Sequence, residues 1–344
     1  MNECKLRWRM GFALGCTLAS ACGTVAVKVP MMKPAEVNMA GYQSIAIGGL
    51  TEYNQHTHYY WWSVDPSRLH PMTGMLEEAL VATNRFQVVD RSHLDGILRE
   101  QKLGATDLAA EGSVSKLGKV ITAGALIFGE VQDTYKESKK REKCSVLFDK
   151  KQHVCNSITG EFRVVAHLKV VDVSTGQLKV TKNLEDTASD TNTGTDEPAS
   201  PIDRPALEKK AREQVIAAFM KSIAPYQVVV EARFQTDGDI AQFETGIVWA
   251  KRGEWAKAID IFNAAAQEAE KNTKLKSGQV AKCYWNLGLA YEYSGQYDKA
   301  VDLINKAFTM SNNPDVLNEL DNVKKLRADA EKLHAQNAAA PGTN

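Results

Sequence analysis

No stretch of this chain is apolar for long enough to cross a bilayer as a helix, which takes about 20 residues. Excess charge is missing too, because 42 Lys and Arg offset 42 Asp and Glu. A balanced surface of this kind leaves no electrostatic footprint for nucleic acid. Enzyme signatures are also lacking. The sequence has no Gly-x-Ser-x-Gly, P-loop, His-Glu-x-x-His or dinucleotide fingerprint. Asp237-Gly-Asp239 lacks the rest of a calcium loop. No catalytic residue, metal or cofactor is therefore expected, and binding becomes the default activity. Cysteine is scarce, at six in 344 residues, so the place of each one carries information.

The N-terminus has the form of an export signal. Lys5, Arg7 and Arg9 precede a short apolar run, Met10 to Ala19, that ends in small residues. Leu18-Ala19-Ser20-Ala21 directly before Cys22 resembles the lipobox of bacterial lipoproteins, with the leucine one place early; ordinary secretory cleavage is the other reading. The resemblance implies a signal over residues 1–21 and lipid on Cys22. Gly23, rather than Asp, after that cysteine points to the periplasmic face of the outer membrane. Cys4 and Cys16 leave with the signal.

Residues 22–41, with their prolines, read as a tether. Tyr42 to Leu50 alternates like a half-buried strand, Met72 to Thr83 has helical apolar spacing, and Phe86 to Asp90 is a short strand. Ser92 suits the N-cap of a helix through Gln101, and Ser113 to Ile121 reads as another helix. Ala125 to Val131 is a buried strand. Phe162 to Val173 is a long alternating one, turned at Ser174-Thr-Gly176 into Gln177 to Thr181. Pro205 to Ile223 is an amphipathic helix and Gln227 to Ala232 one more strand. Strands interleaved with helices predict an α/β domain over residues 42–232.

Two segments inside this domain stand apart. Residues 132–161 hold KKREKCSVLFDKKQHVC, and 183–205 form a polar Pro/Gly/Thr/Asp tract expected to be a loop. In an oxidising compartment Cys144 and Cys155 read as a disulfide closing a hairpin turned at Asp149-Lys-Lys151. A metal site on Cys144, His153 and Cys155 is the alternative; it lacks a fourth ligand and the usual spacing.

From Gly238 the pattern is helical and repeats itself. Gly246, Trp249, Gly253, Trp255, Ala258, Phe262 and Ala265 recur as Gly288, Tyr291, Gly295, Tyr297, Ala300, Ile304 and Ala307. This resembles the tetratricopeptide repeat, with extra residues near Lys271 to Lys276 beyond the usual period of about 34. Residues 238–335 are expected to hold two such units and a capping helix opened by Pro314, and 336–344 a disordered tail. In that family the stripe Phe243, Ile247 and Lys251, and its counterpart Trp285, Leu289 and Tyr293, would line a groove for a peptide or protein partner. The same stripe also suits packing within the chain. Cys283 is expected in the core.

Arg85 to Val131 (RFQVVDRSHLDGILREQKLGATDL running into SKLGKVITAGALIFGEV) and His167 to Leu178 (HLKVVDVSTGQL) resemble the curli-secretion lipoprotein family of the CsgG type. The resemblance implies an α/β periplasmic domain, a mixed sheet with flanking helices, followed here by the all-α repeats. It also implies homo-oligomeric rings, and in pore-forming members two β-hairpins per subunit in a shared barrel. Other members act as assembly factors or as activators of cell-wall synthases. The hairpin positions depart from the pore pattern: KESKKREK puts charges on both faces of any strand, and a lipid-facing Lys or Arg costs ~2–4 kcal/mol at mid-bilayer. A scaffold is therefore expected, with a secretion channel as the alternative and a periplasmic activator of a cell-wall synthase as a second one.

The loop after the first strand carries His56, His58, Asp65 and His70, which read as solvated rather than as a metal site. It also carries Tyr59, Tyr60, Trp61 and Trp62. Four consecutive aromatics cannot all be buried by one element, so a partner, a second subunit or lipid headgroups is one reading and packing on their own domain the other.

Overall fold

A computed structural model describes residues 23–53, 69–89, 124–146, 149 and 151–338. The expected signal, Cys22, the helices over 92–101 and 113–121, the four aromatics, His56, His58 and Asp65 lie outside them. The chain divides into two units, one α/β and one helical.

The α/β unit takes in the described residues of Met32–Gln227 and 329–338. β2 (Ser44–Glu52) is buried over its first seven residues, as a strand covered on both faces must be. It runs parallel to β3 (Gln87–Val89) and to the start of β4 (Ala125–Ser145). β4, β5 (Gln152–Asp172) and β6 (Leu178–Thr195) are antiparallel, giving the order β3-β2-β4-β5-β6.

Among the described residues two helices pack on the sheet. α1 (Met72–Ala82) buries Met72, Leu76 and Leu80, every fourth residue and so one face. α2 (Arg204–Ile223) starts where the Asp203 carboxylate accepts from Ala206 N–H, with Pro205 in the first turn, where no N–H is needed. Its Leu207, Ala211, Val215 and Phe219 meet Ile47, Ile127, Phe162 and Val164 in one core.

Among the described residues the helical unit takes in 23–31 and Val228–Ala328. α3 (Gln242–Lys251) and α4 (Trp255–Lys271) form one hairpin; α5 (Ser277–Tyr293) and α6 (Tyr297–Ser311) form the second. The helix α7 (Asp315–Ala338) follows. Gly253 and Gly295 turn the two hairpins at φ of 73° and 81°, a conformation glycine adopts without penalty. Each repeat also needs a second glycine for space. A Cβ on Gly246 would lie 2.4 Å from Phe262, and one on Gly288 would lie 2.6 Å from Ile304.

Four expectations are corrected. The tether over 22–41 contains β1 (Thr24–Lys33), paired with β7 (Tyr226–Gln235). Its Val27 and Val29 are buried in the helical core, and Pro30 is tolerated because each strand of a two-stranded sheet has a free edge. The α/β domain does not run to residue 232, since β7 joins the helical unit from Val228. The polar tract 183–205 is not a loop throughout, because β6 pairs with β5 as far as Thr195↔Cys155. Ladder bonds use the backbone, and threonine suits a pleated strand whether or not its side chain is buried. The tail expected from residue 336 is helical to Ala338, where buried Gln336 donates to Ala35 O and accepts from Ala35 N–H.

Candidate functional site

β4, β5 and β6 run on past the helices as a three-stranded ribbon. β2 accompanies β4 only as far as Val131, so β4 from Gln132 and β6 form its two open edges among the described residues. Registered pairs share a face. One face carries Thr134, Lys136, Ser138 and Lys140 of β4, Ser157, Thr159 and Glu161 of β5, and Thr187, Ser189, Thr191 and Thr193 of β6. Thr159 and Thr191 share a hydroxyl hydrogen bond of 2.9 Å, and Arg163 grips Glu185 through two contacts of 2.7 Å.

Over β5 and β6 the opposite face is covered by the chain itself, while Glu137, Lys139 and Arg141 of β4 on that face are exposed. Residues 196–203 double back over it, and Asn156 Nδ2 donates to Glu197 O (2.8 Å) while Asn192 Nδ2 donates to Pro201 O (2.8 Å). Ile202 fills the space over Gly160, where a Cβ would come within 2.8 Å.

At the tip Cys144 and Cys155 form a disulfide, with Cα atoms 5.8 Å apart. Beside it His153 presents Nδ1 to Asp196 (2.6 Å) and Nε2 to Asp149 (3.0 Å). Carboxylates only accept, so both ring nitrogens are satisfied when both donate, as the imidazolium. The Asp196 bond first, then that of Asp149, raises the His153 pKa above 6.5. The stabilisation is fully present below pH 6.5 and is lost as pH rises through the raised value. We expect the His153 ring resonances to titrate with a midpoint above 6.5; a midpoint below it would contradict the clamp. Replacing Cys144 and Cys155 by serine should cost ~2–3 kcal/mol in urea unfolding, from the freed loop of the unfolded chain. An unchanged midpoint would show the bridge to be inert.

His70, expected in a solvated loop, is instead buried and has structural partners. Its Nδ1 accepts from Met72 N–H (3.2 Å) and its Nε2 faces Asp133 Oδ2 (3.1 Å), which Arg212 also holds at 2.6 Å. Burial would raise the Asp133 pKa, but the bonds and charges of His70 and Arg212 outweigh it and hold it below 3.8. Among the described residues no cluster of His, Cys, Asp and Glu suits a metal. Cys283 is fully buried, and that burial pushes its thiol up to about 12.

In the helical unit, Phe243, Ile247, Leu289 and Tyr293 are buried in the core, and Lys251 is exposed. Trp285 alone of these six borders a groove of about 770 Å³ between β7, α5 and α7. β7 lies along α5: Trp285 Nε1 donates to Arg233 O (3.0 Å), and Asn286 bonds both Gln235 N–H (2.8 Å) and Gln235 O (2.9 Å). Asn286 was not anticipated. Its only sequence signal is an amide three residues into a helix-spaced apolar run, which does not mark a backbone clamp.

Residues 35–196 match the family described as curli production assembly/transport component CsgG, and residues 246–313 match the tetratricopeptide repeat. No curated protein matches the chain. Among solved structures it is similar to the LpoB C-terminal domain from Salmonella enterica, at 11% identity over 43% of this chain and 86% of that one, with a TM-score of 0.25. Lipoprotein GNA1162 from Neisseria meningitidis is 14% identical over 52% and 99%, with a TM-score of 0.23. The hypothetical protein CT253 from Chlamydia trachomatis is 6% identical over 51% and 94%, also with a TM-score of 0.23.

Proposed function

We propose, from a chain that carries a CsgG-type domain followed by tetratricopeptide repeats, that it is a non-enzymatic scaffold of the cell envelope. It is held at the periplasmic face of the outer membrane by lipid on Cys22, and its repeats bind a protein or peptide segment during assembly or secretion of envelope components. The observation that carries this reading is the ribbon. A barrel stave needs about 9–11 residues with alternate apolar side chains toward lipid. One face of the ribbon is hydroxyl and charge, and the other is charged along β4, with Glu137, Lys139 and Arg141, and occupied over β5 and β6 by residues 196–203.

The second reading, a secretion channel subunit, has one observation in its favour: the ribbon ends in two open strand edges among the described residues, a geometry that permits head-to-tail pairing of copies. Detergent-solubilised mature protein separates the two in planar bilayers. We expect no conductance, and Cys22→Ser protein that is folded and monomeric without detergent. A heat-resistant conducting ring would overturn the scaffold in favour of the channel.

A further inference from the structure

The repeat groove has an unusual wall. In an antiparallel ladder alternate residues of a strand turn both main-chain groups toward the same neighbour. Just past the end of β7, Thr236 N–H donates to Gly23 O (2.9 Å), toward β1, while its C=O accepts from Lys282 Nζ (3.4 Å), so the phase of the strand is set by Gln235, which lies one step away. Gln235 and Arg233 face away from β1, and α5 supplies their partners through Asn286 and Trp285. The same phase puts the N–H and C=O of Glu231 and Val229 on that outer edge, where no strand lies among the described residues. Side chains from α5 thus stand in for a third strand at one end of the edge, and among the described residues the substitution reaches as far as Arg233.

We infer that the outer edge of β7, from Val229 to Arg233, takes an extended basic peptide segment as a third strand lying in the groove. This rests on the reading of the repeats as a partner-binding module. The groove has a volume of about 770 Å³. Main-chain ladder bonds supply affinity in this mode, and alternate side chains supply selectivity.

The charge around the groove sets that selectivity. Asp315 and Glu319 stand four residues apart on α7, hence on one face, and both border the groove. Neither has a Lys or Arg partner within 4.0 Å among the described residues. Glu231 approaches Arg233 only at 3.9 Å, and the Lys282 amine is held by Asp237 at 2.8 Å. The groove therefore carries more carboxylate than available cation, and Lys or Arg at alternate positions of an incoming strand would match it. An acidic strand would be repelled, and a segment with proline at the pairing positions would lose its ladder bonds.

The test uses the full chain and two synthetic peptides, Lys-Thr-Lys-Val-Lys-Thr-Lys and its glutamate counterpart. The lysine peptide should bind at least tenfold more tightly than the glutamate one and should slow hydrogen exchange at the amides of Val229, Glu231 and Arg233. Glu231→Pro removes an outward N–H from an edge strand, where proline is tolerated, and should weaken binding tenfold or more. Val229→Pro is the second such variant should the first fail to fold. Asp315→Lys should weaken the lysine peptide at least fivefold. Absence of binding, equal binding of the two peptides, or binding that survives both proline variants would overturn the inference. Loss of natural partner recovery on Trp285→Ala, with lysine-peptide binding unchanged in the proline variants, would leave the partner-binding reading standing while strand addition falls.

Discussion

Replacing Glu292 by glutamine should stabilise the helical unit, by about 3 kcal/mol at pH 7 and by little near pH 4.5. Glu292 sits one residue before the end of α5 and is fully buried. Asn322 Nδ2 of α7 donates to Glu292 Oε1 (2.9 Å) and to Glu319 Oε1 (2.9 Å), while Glu292 Oε2 is buried with no hydrogen-bond partner. Burial, then the charge of Glu319, pushes the Glu292 carboxyl up from 4.5 to about 9. At neutral pH the folded protein therefore holds this carboxyl protonated while the unfolded chain holds it ionised.

Folding takes up a proton throughout the window from 4.5 to 9, so stability falls as pH rises across it. At pH 7 the cost is about 1.4 kcal/mol for each of roughly two and a half units above 4.5, which gives the figure of about 3. Glutamine keeps the shape of the neutral acid. Its carbonyl accepts from Asn322 and its amide donates toward Glu319, with no proton to take up. Urea unfolding at pH 5 and pH 8 should thus show a gap between wild type and Glu292→Gln that widens with pH. A gap that stays constant, or a variant less stable at both values, would place the ionised form in the folded protein.

Neither the burial of Glu292 nor its neighbours can be read from the chain. In the stretch LAYEYS it looks like any exposed helical glutamate, and only the arrival of α7 closes it off. The repeat itself was readable because its contacts are local. Gly246 and Gly288 meet Phe262 and Ile304, sixteen residues on in each case, so spacing alone identifies the close helix approach. Phe162 to Val173 was readable as a strand because one face is apolar throughout. β1 and the outer part of β6 were not, for opposite reasons. β1 pairs with a strand some two hundred residues away and contains Pro30, and β6 past Val180 buries almost nothing but Ala188. Hydrophobic periodicity detects strands that bury side chains, and β6 is held largely by its backbone ladder. The disulfide was predicted from compartment and spacing, but the clamp on His153 needed Asp196, which register alone brings to the tip.

The close approach of Gly246 to Phe262 supports a coupled pair of substitutions. Phe262 is fully buried, stacked on Phe234 with ring centroids 5.4 Å apart and edge-on to Phe243 at 6.4 Å. Phe262→Ala should cost ~3–5 kcal/mol, the loss of a large buried ring plus the cavity it leaves. Gly246→Ala has two opposing effects. Helix propensity favours alanine by about 1 kcal/mol, but the new Cβ would lie 2.4 Å from the Phe262 ring, and overpacking of this kind costs ~1–3 kcal/mol. Steric overlap wins while the ring is present, so the single variant is destabilised. In the Phe262→Ala background the overlap is gone and the methyl enters the cavity, so Gly246→Ala should become neutral or stabilising. The double variant is then more stable than the sum of the two singles predicts, a coupling confined to residues in contact. The Gly288–Ile304 pair of the second repeat, at 2.6 Å, should repeat the pattern with Ile304→Ala. Strict additivity in urea unfolding at either pair would mean that the helices relax apart to accept the methyl, and that the glycines are not what sets their approach.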